Sequence, residues 1–199
     1  VNHTQNGHFI ELFNFQNEVL IHYETISDPL LVSPNDLVLI DSNQFYVTND
    51  HGNQSEWGKL LEEYFQLARS NVLFYDGKQF TVSITGLTYA NGINISKDRN
   101  ILYVAETVGK KLNLYSRNSR SNELIFQQSI YMNSGIDNID VDAEDNLWIG
   151  SHPKLLAYSR HAKYPDKLSP SQVIRVSKNL HGKYVTEEVY LCDGNHISG

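Results

Sequence analysis

Apolar and aromatic residues fall along the chain in short runs, several alternating with polar residues, and the runs are separated by turn signals. Such runs are His8-Phe9-Ile10-Glu11-Leu12-Phe13-Asn14-Phe15, Asp36 to Ile40, Phe45-Tyr46-Val47, Asn71 to Tyr75 and Phe80 to Ile84. Asp76-Gly77 lies between the last two and predicts a hairpin, because both residues tolerate the left-handed backbone of a tight turn. Runs this short suit strands better than helices, so the pattern predicts an all-β protein.

Three stretches repeat one another imperfectly. Each opens on Asn or Asp, continues with two alternating apolar positions, and passes through a polar turn into an aromatic-led strand: Asn35-Asp36-Leu37-Val38-Leu39 with Phe45-Tyr46-Val47-Thr48, Asn91-Gly92-Ile93-Asn94-Ile95 with Leu102-Tyr103-Val104-Ala105, and Asp137-Asn138-Ile139-Asp140-Val141 with Leu147-Trp148-Ile149-Gly150. The last two also end alike, in Leu112-Asn113-Leu114-Tyr115-Ser116 and Leu155-Leu156-Ala157-Tyr158-Ser159, both read as strands. Tyr103 and Trp148 are 45 residues apart, Tyr46 and Tyr103 57. A period of about 40 to 50 residues with several strands per unit predicts propeller blades, with a β-sandwich of look-alike hairpins as the competing reading. About four blades are expected, forming one partial domain over residues 1–199.

The surplus between the first two copies holds a helical pattern near residues 56–69. Trp57, Leu60, Leu61, Tyr64 and Ala68 share one face, and Asn53 and Glu56 are spaced as a capping box. The helix either packs over a mouth of the propeller or simply fills the long connection.

Composition narrows the partners. Sixteen Lys and Arg against 23 Asp and Glu give a formal charge of −7, and no basic run exceeds Lys110-Lys111, which excludes nucleic acid as a main partner. No apolar run is long enough to cross a bilayer. The single Cys192 has no internal disulfide partner. The chain starts without Met and stops soon after a strand-like run, Tyr184 to Leu191, and a turn-like Asp193-Gly194-Asn195, so it reads as part of a longer protein.

Candidate chemistry sits where the repeats begin. In a radial fold, equivalent positions of different blades converge on the axis, so Asn35, Asp36, Asn91, Asp137 and Asn138 can meet around one ion. Amide and carboxylate oxygens suit a hard cation such as calcium, although Asn and Asp at strand entries are commonly turn residues. Of the eight histidines, His3, His51 and His152 stand out, the last two lying beyond the same strand of different repeats. No Gly-x-Ser-x-Gly elbow or phosphate-binding glycine loop is present, against a serine esterase or nucleotide enzyme of the usual kinds. Asn53-Gln54-Ser55 is the best placed of three glycosylation triplets.

The chain resembles the paraoxonase/arylesterase family, calcium-dependent six-bladed propeller hydrolases. The resemblance rests on Val1-Asn2-His3, Ile10 to Phe15, Pro34 to Val38, Phe45 to His51, Tyr89 to Ser96, Tyr103 to Glu106, Asp137 to Asp142 and Leu147 to Pro153, in order along nearly the whole chain. It implies two calcium ions. Asn35, Asn91, Asp137 and Asn138 would ligate the catalytic one, with a glutamate from upstream of Val1, and Asp36 the structural one. It also implies that His3 is the second member of a His-His dyad whose first member lies upstream, and that His152 and His51 stand at the active-site end. Tyr89 occupies a pocket position where the family has phenylalanine, and Ser151 replaces a family cysteine, which excludes thiol chemistry there.

The implied function of the complete protein is hydrolysis of small hydrophobic aryl esters and lactones, with organophosphate triesters as a further substrate class. A calcium-stabilised propeller that only binds is the alternative. The resemblance further implies an extracellular or secretory-pathway, membrane-associated glycoprotein, with lipid or lipoprotein association through an N-terminal segment, and no activity in the 199 residues alone.

Overall fold

Residues that tolerate a left-handed backbone stand at several chain reversals: Asn17 and Glu18 with φ 51° and 63°, Gly77 with φ 95° and Asp145 with φ 64°. Strands adjacent in sequence therefore lie antiparallel and adjacent in space. The computed structural model describes residues 1–5 and 7–194, so Asn195 of the expected turn at 193–195 lies outside the described residues.

The first sheet contains β1 (Asn2–Thr4), β2 (Gly7–Gln16) and β3 (Val19–Ile26). The second contains β4 (Pro34–Leu39), β5 (Phe45–Asn49), β6 (Ser70–Tyr75) and β7 (Phe80–Leu87), with helix α1 (Glu56–Tyr64) between β5 and β6. The third contains β8 (Ala90–Ile95), β9 (Ile101–Glu106), β10 (Lys111–Arg117) and β11 (Leu124–Tyr131). The fourth contains β12 (Gly135–Val141), β13 (Leu147–His152), β14 (Ser171–Lys178) and β15 (Tyr184–Cys192), with helix α2 (Leu155–Lys163) between β13 and β14. Within each sheet the strands pair in sequence order, and β8 packs against both β4 and β12. These are four successive blades of a β-propeller, with β4, β8 and β12 as the inner strands.

Side-chain alternation binds the blades together. Along β5, Phe45 and Val47 enter a core shared with Ile10 and Ile26 of the first blade, while Tyr46 between them faces Ala90, Ile93 and Leu102 of the third. Along β9, Leu102 and Val104 face the second blade, and Tyr103 and Ala105 face Ile136, Ile139 and Ile149 of the fourth. Every residue of β5 is buried, because the sheet is covered on both faces. Each fully buried apolar side chain of this size contributes about 1.5 to 3 kcal/mol.

The predicted repeat alignment holds in the register: Tyr46 pairs with Val38, Tyr103 with Asn94, and Trp148 with Asp140. The two helices differ from expectation. α1 ends at Tyr64, where Gln66 turns the chain at φ 52°, and Ser55 rather than Asn53 caps it, its Oγ accepting from Gly58 N at 3.1 Å. Its apolar face is also turned outward, with Trp57 78% and Tyr64 79% exposed. The cause is the mooring of the opposite face: Glu62 is buried and accepts from Gly52 N at 2.9 Å and from Asn53 Nδ2, and Glu63 meets His51. Buried carboxylates need such donors, and here they set the rotation of the helix.

The run Leu155 to Ser159 is α2, not the strand its likeness to Leu112 to Ser116 predicted. β14 supplies the third strand of that blade instead. The residues that follow carry no β-branched side chain, and Arg160, His161 and Lys163 in the last turn complement the helix dipole. Among the described residues no helix is long and apolar enough to cross a membrane.

Inner strands approach closely where Gly92 stands. A Cβ there would lie 2.3 Å from the Asp137 carbonyl oxygen and 2.9 Å from Asn138 Cα, both backbone atoms. Gly92→Ala should therefore lower the unfolding free energy by about 1 to 3 kcal/mol in denaturant titration, the cost of overpacking. Gly150→Ala, with nothing within 4 Å of the added carbon, should leave it nearly unchanged.

Candidate functional site

The paired polar residues predicted from the repeats share one backbone feature. The register shifts between Pro34 and Leu37, between Ala90 and Ile93, and between Ile136 and Ile139, so in each inner strand two residues face one on the partner strand. The three β-bulges hold Asn35-Asp36, Asn91-Gly92 and Asp137-Asn138. A bulge frees consecutive side chains from strict alternation and re-aims them, which explains why the candidates come in neighbouring pairs.

Hydrogen bonds orient these groups. Asn35 Nδ2 donates to Asp50 Oδ2 at 3.1 Å. Asn91 Nδ2 donates to Thr107 Oγ1 at 3.1 Å, and that hydroxyl donates to the Ile136 carbonyl at 2.7 Å, tying the third blade to the fourth. With its nitrogen held, Asn91 presents an Oδ1 that is buried and has no hydrogen-bond partner among the described residues. Asp36 joins two blades, its Oδ1 accepting from Leu37 N at 2.8 Å and its Oδ2 from Ile93 N at 2.9 Å. Burial pushes the Asp36 carboxyl above its usual range against these two N–H bonds, and the Asp137 charge adds to the push, so the two carboxylates lie within electrostatic reach. Asn138 is exposed.

Asp137 also holds a histidine. Its Oδ2 lies 3.0 Å from His152 Nε2, and the His152 ring stacks on Tyr158 of α2 at 3.7 Å with a 16° interplanar angle. Tyr158 reaches this place because α2 is a helix, so the strand reading of that run concealed it. Gly135 admits the helix, since a Cβ there would fall 2.2 Å from Leu155 Cδ2.

His51 anchors a second cluster. Its Nδ1 faces Asp50 Oδ1 at 2.7 Å, its Nε2 faces Glu63 Oε1 at 3.1 Å, and Tyr89 meets its ring edge-on at 4.9 Å. Tyr89 stands at φ 59°, strained for an aromatic residue. Burial drives its phenol upward, and the charges of Asp50, Glu63 and Asp137 drive it further. Asp50 and Glu63 were not singled out from the sequence. Asp50 beside His51 is the available cue, whereas Glu63, off the apolar face of α1, carries none.

Among the described residues His3 makes no hydrogen bond or ring contact with these groups. It is exposed on β1, with its Nδ1 2.8 Å from Nδ1 of its cross-strand partner His8. The ring partner found for His3 is thus downstream in the sequence. Burial and the neighbouring His3 push the His8 imidazole below its ordinary value, and Lys59 lowers it further while Asp50 opposes. Asn53 is half-buried, and its Nδ2, the atom a glycan would join, donates to Glu62.

The donor set suits a hard cation. Among the described residues no group of three or more His, Cys, Asp and Glu is placed to hold a metal ion by itself, so any ion here relies on amide oxygens as well. An acceptor buried without a donor, as at Asn91 Oδ1, is costly unless something positive faces it. Two carboxylates within electrostatic reach ask for the same.

A propeller with oxygen-bearing bulges on successive inner strands defines a class of protein, and the comparisons agree. The family described as Arylesterase matches residues 1–199, and the chain belongs to that family. It is 32% identical over 205 residues to rat serum paraoxonase/arylesterase 2 and 35% identical over 207 residues to human serum paraoxonase/arylesterase 1, covering 100% of this chain and 56% of each relative. The chain therefore spans little more than half the length of these relatives. A solved luciferin-regenerating enzyme superposes with a TM-score of 0.58 at 11% identity, covering 93% of this chain and 56% of that one, a likeness of fold.

Burial opposes protonation of His51, but hydrogen bonds and charge from Asp50 and Glu63 prevail and raise its imidazole to about 9. A raised value means that the stabilisation is complete below about 6.5 and is lost as pH rises through about 9. The melting temperature of the full-length protein should fall across that window, and His51→Gln should flatten the fall.

Proposed function

We propose that the protein carrying this chain is a calcium-dependent hydrolase of aryl esters and lactones, with organophosphate triesters as a further class. The observation that carries the proposal is the row of bulge oxygens on three inner strands, with the buried, unpartnered Oδ1 of Asn91 among them. Relatives bearing the names arylesterase and paraoxonase support the reaction class.

Asn35, Asn91, Asp137 and Asn138 would hold the catalytic ion, and Asp36 would contribute to a second, structural one. When bound, calcium polarises the carbonyl or phosphoryl oxygen of the substrate and offsets the negative charge that develops there. The chain's own groups prepare for this. Asp50 and Thr107 fix the Asn35 and Asn91 amides by their nitrogens. Asp137 holds Nε2 of His152, so a neutral ring donating there keeps Nδ1 as the proton acceptor for water. Tyr158 fixes the ring plane. His3, with His8 beside it, is the other candidate for moving a proton, and Tyr89 and His51 form the pocket wall, where an aromatic ring favours hydrophobic substrates. The same proposal extends to an extracellular or secretory-pathway location and to association with lipid or lipoprotein.

Phenyl acetate and a hydrophobic lactone provide the test, assayed with the full-length protein in calcium and after chelation. Turnover should depend on calcium and fall on the order of a hundredfold or more in an Asp137→Asn, Asn138→Ala variant that keeps its circular dichroism. Calcium-loaded, folded protein without turnover would reject the hydrolase and leave a propeller that only binds.

A further inference from the structure

The polar mooring of α1 leads from the helix to a bulge. Glu63 Oε1 faces His51 Nε2 at 3.1 Å, His51 Nδ1 faces Asp50 Oδ1 at 2.7 Å, and Asp50 Oδ2 accepts from Asn35 Nδ2 at 3.1 Å. An imidazole is a rigid spacer whose two nitrogens point apart, so displacing one carboxylate displaces the other. His51 is only 5% exposed, which shields its bonds from competing water. The last link governs which end of an amide faces the axis. While Nδ2 is held by Asp50, Oδ1 is turned away from it, and without that hold the side chain can flip. The helix has little apolar mooring to compensate, since Trp57, Leu60, Leu61 and Tyr64 are all exposed.

We propose that Glu63 is a positioning residue for the cation ligand Asn35, acting through His51 and Asp50, so that seating of α1 and retention of the ion are coupled. The inference rests on the calcium reading given above. Coupling of this kind is reciprocal: an ion that fixes Asn35 also steadies the helix, and a displaced helix weakens the hold on the ion. Outer partners of metal ligands commonly change affinity by roughly 10- to 100-fold, and a group two links out belongs at the low end.

Calcium titration by calorimetry, together with hydrogen exchange over residues 56–64 in calcium and after chelation, tests it on the full-length protein. Glu63→Leu should weaken calcium binding roughly tenfold and abolish the calcium-dependent slowing of exchange in α1, while Glu63→Gln, which keeps an acceptor oxygen, should fall between. Glu62→Gln perturbs the neighbouring bonds to Gly52 and Asn53 while leaving the Glu63–His51 contact that seats α1 on the relay, and should change affinity less than twofold, which distinguishes positioning from general loss of structure; circular dichroism checks the fold of each variant. Unchanged affinity in a folded Glu63→Leu protein, or an equal loss in Glu62→Gln, would overturn the relay alone. Absence of calcium uptake by the unaltered protein would overturn the calcium reading and the relay with it.

Discussion

The second and third blades are covered on both faces by their neighbours, so their middle strands must be apolar on both faces. That constraint governs the rest of the molecule. It divides Phe45, Tyr46 and Val47 between two cores and makes Leu102 to Ala105 buried without a break. It also leaves polar chemistry little room inside the sheets and confines much of it to the inner strands and to the connections at their ends.

At the axis the economy reverses. The amides of Asn35 and Asn91 give their nitrogens to neighbouring side chains, and the Asp36 carboxylate takes backbone donors from two blades. Structure and chemistry thus use opposite ends of the same functional group. Thr48 and Thr107 do related work, each donating from a hydroxyl on one blade to a carbonyl on the next. The bonds that hold the blades in register are therefore also those that orient the candidate ligands.

The sheet pattern was legible because alternation is local: strands, the Asp76-Gly77 hairpin and the repeat alignment can all be read from neighbouring residues. The paired candidates at 35–36, 91–92 and 137–138 were legible too, although that a bulge caused the pairing was not, since register exists only between strands. The helices were harder. Leu155 to Ser159 has the composition of a strand seen elsewhere in the chain, and only the presence of β14 in the third place made it α2. For α1 the three-and-four spacing gave the helix but misjudged which face turns inward, because two carboxylates found donors in His51, Gly52 and Asn53. His3 paired with His8 across a turn, a contact that needs the hairpin register to be seen.

The bulges repeat one backbone device with different side chains. The ladder resumes at Leu37, Ile93 and Ile139 after bulge pairs of different chemistry, and the second bulge position holds a carboxylate and an amide in two blades but leaves no room for a Cβ at Gly92 in the third. Asn and Asp are nearly the same shape, yet exchanging Asn for Asp at positions 35 or 91 would also remove the nitrogen that bonds Asp50 or Thr107, so charge at the first position is tied to side-chain orientation. Were an ion held there, its preference could shift with the count of carboxylates only together with the partners that hold each side chain. The bulge backbone is thus shared by three blades, while the side chains it carries are held one by one by partners of their own.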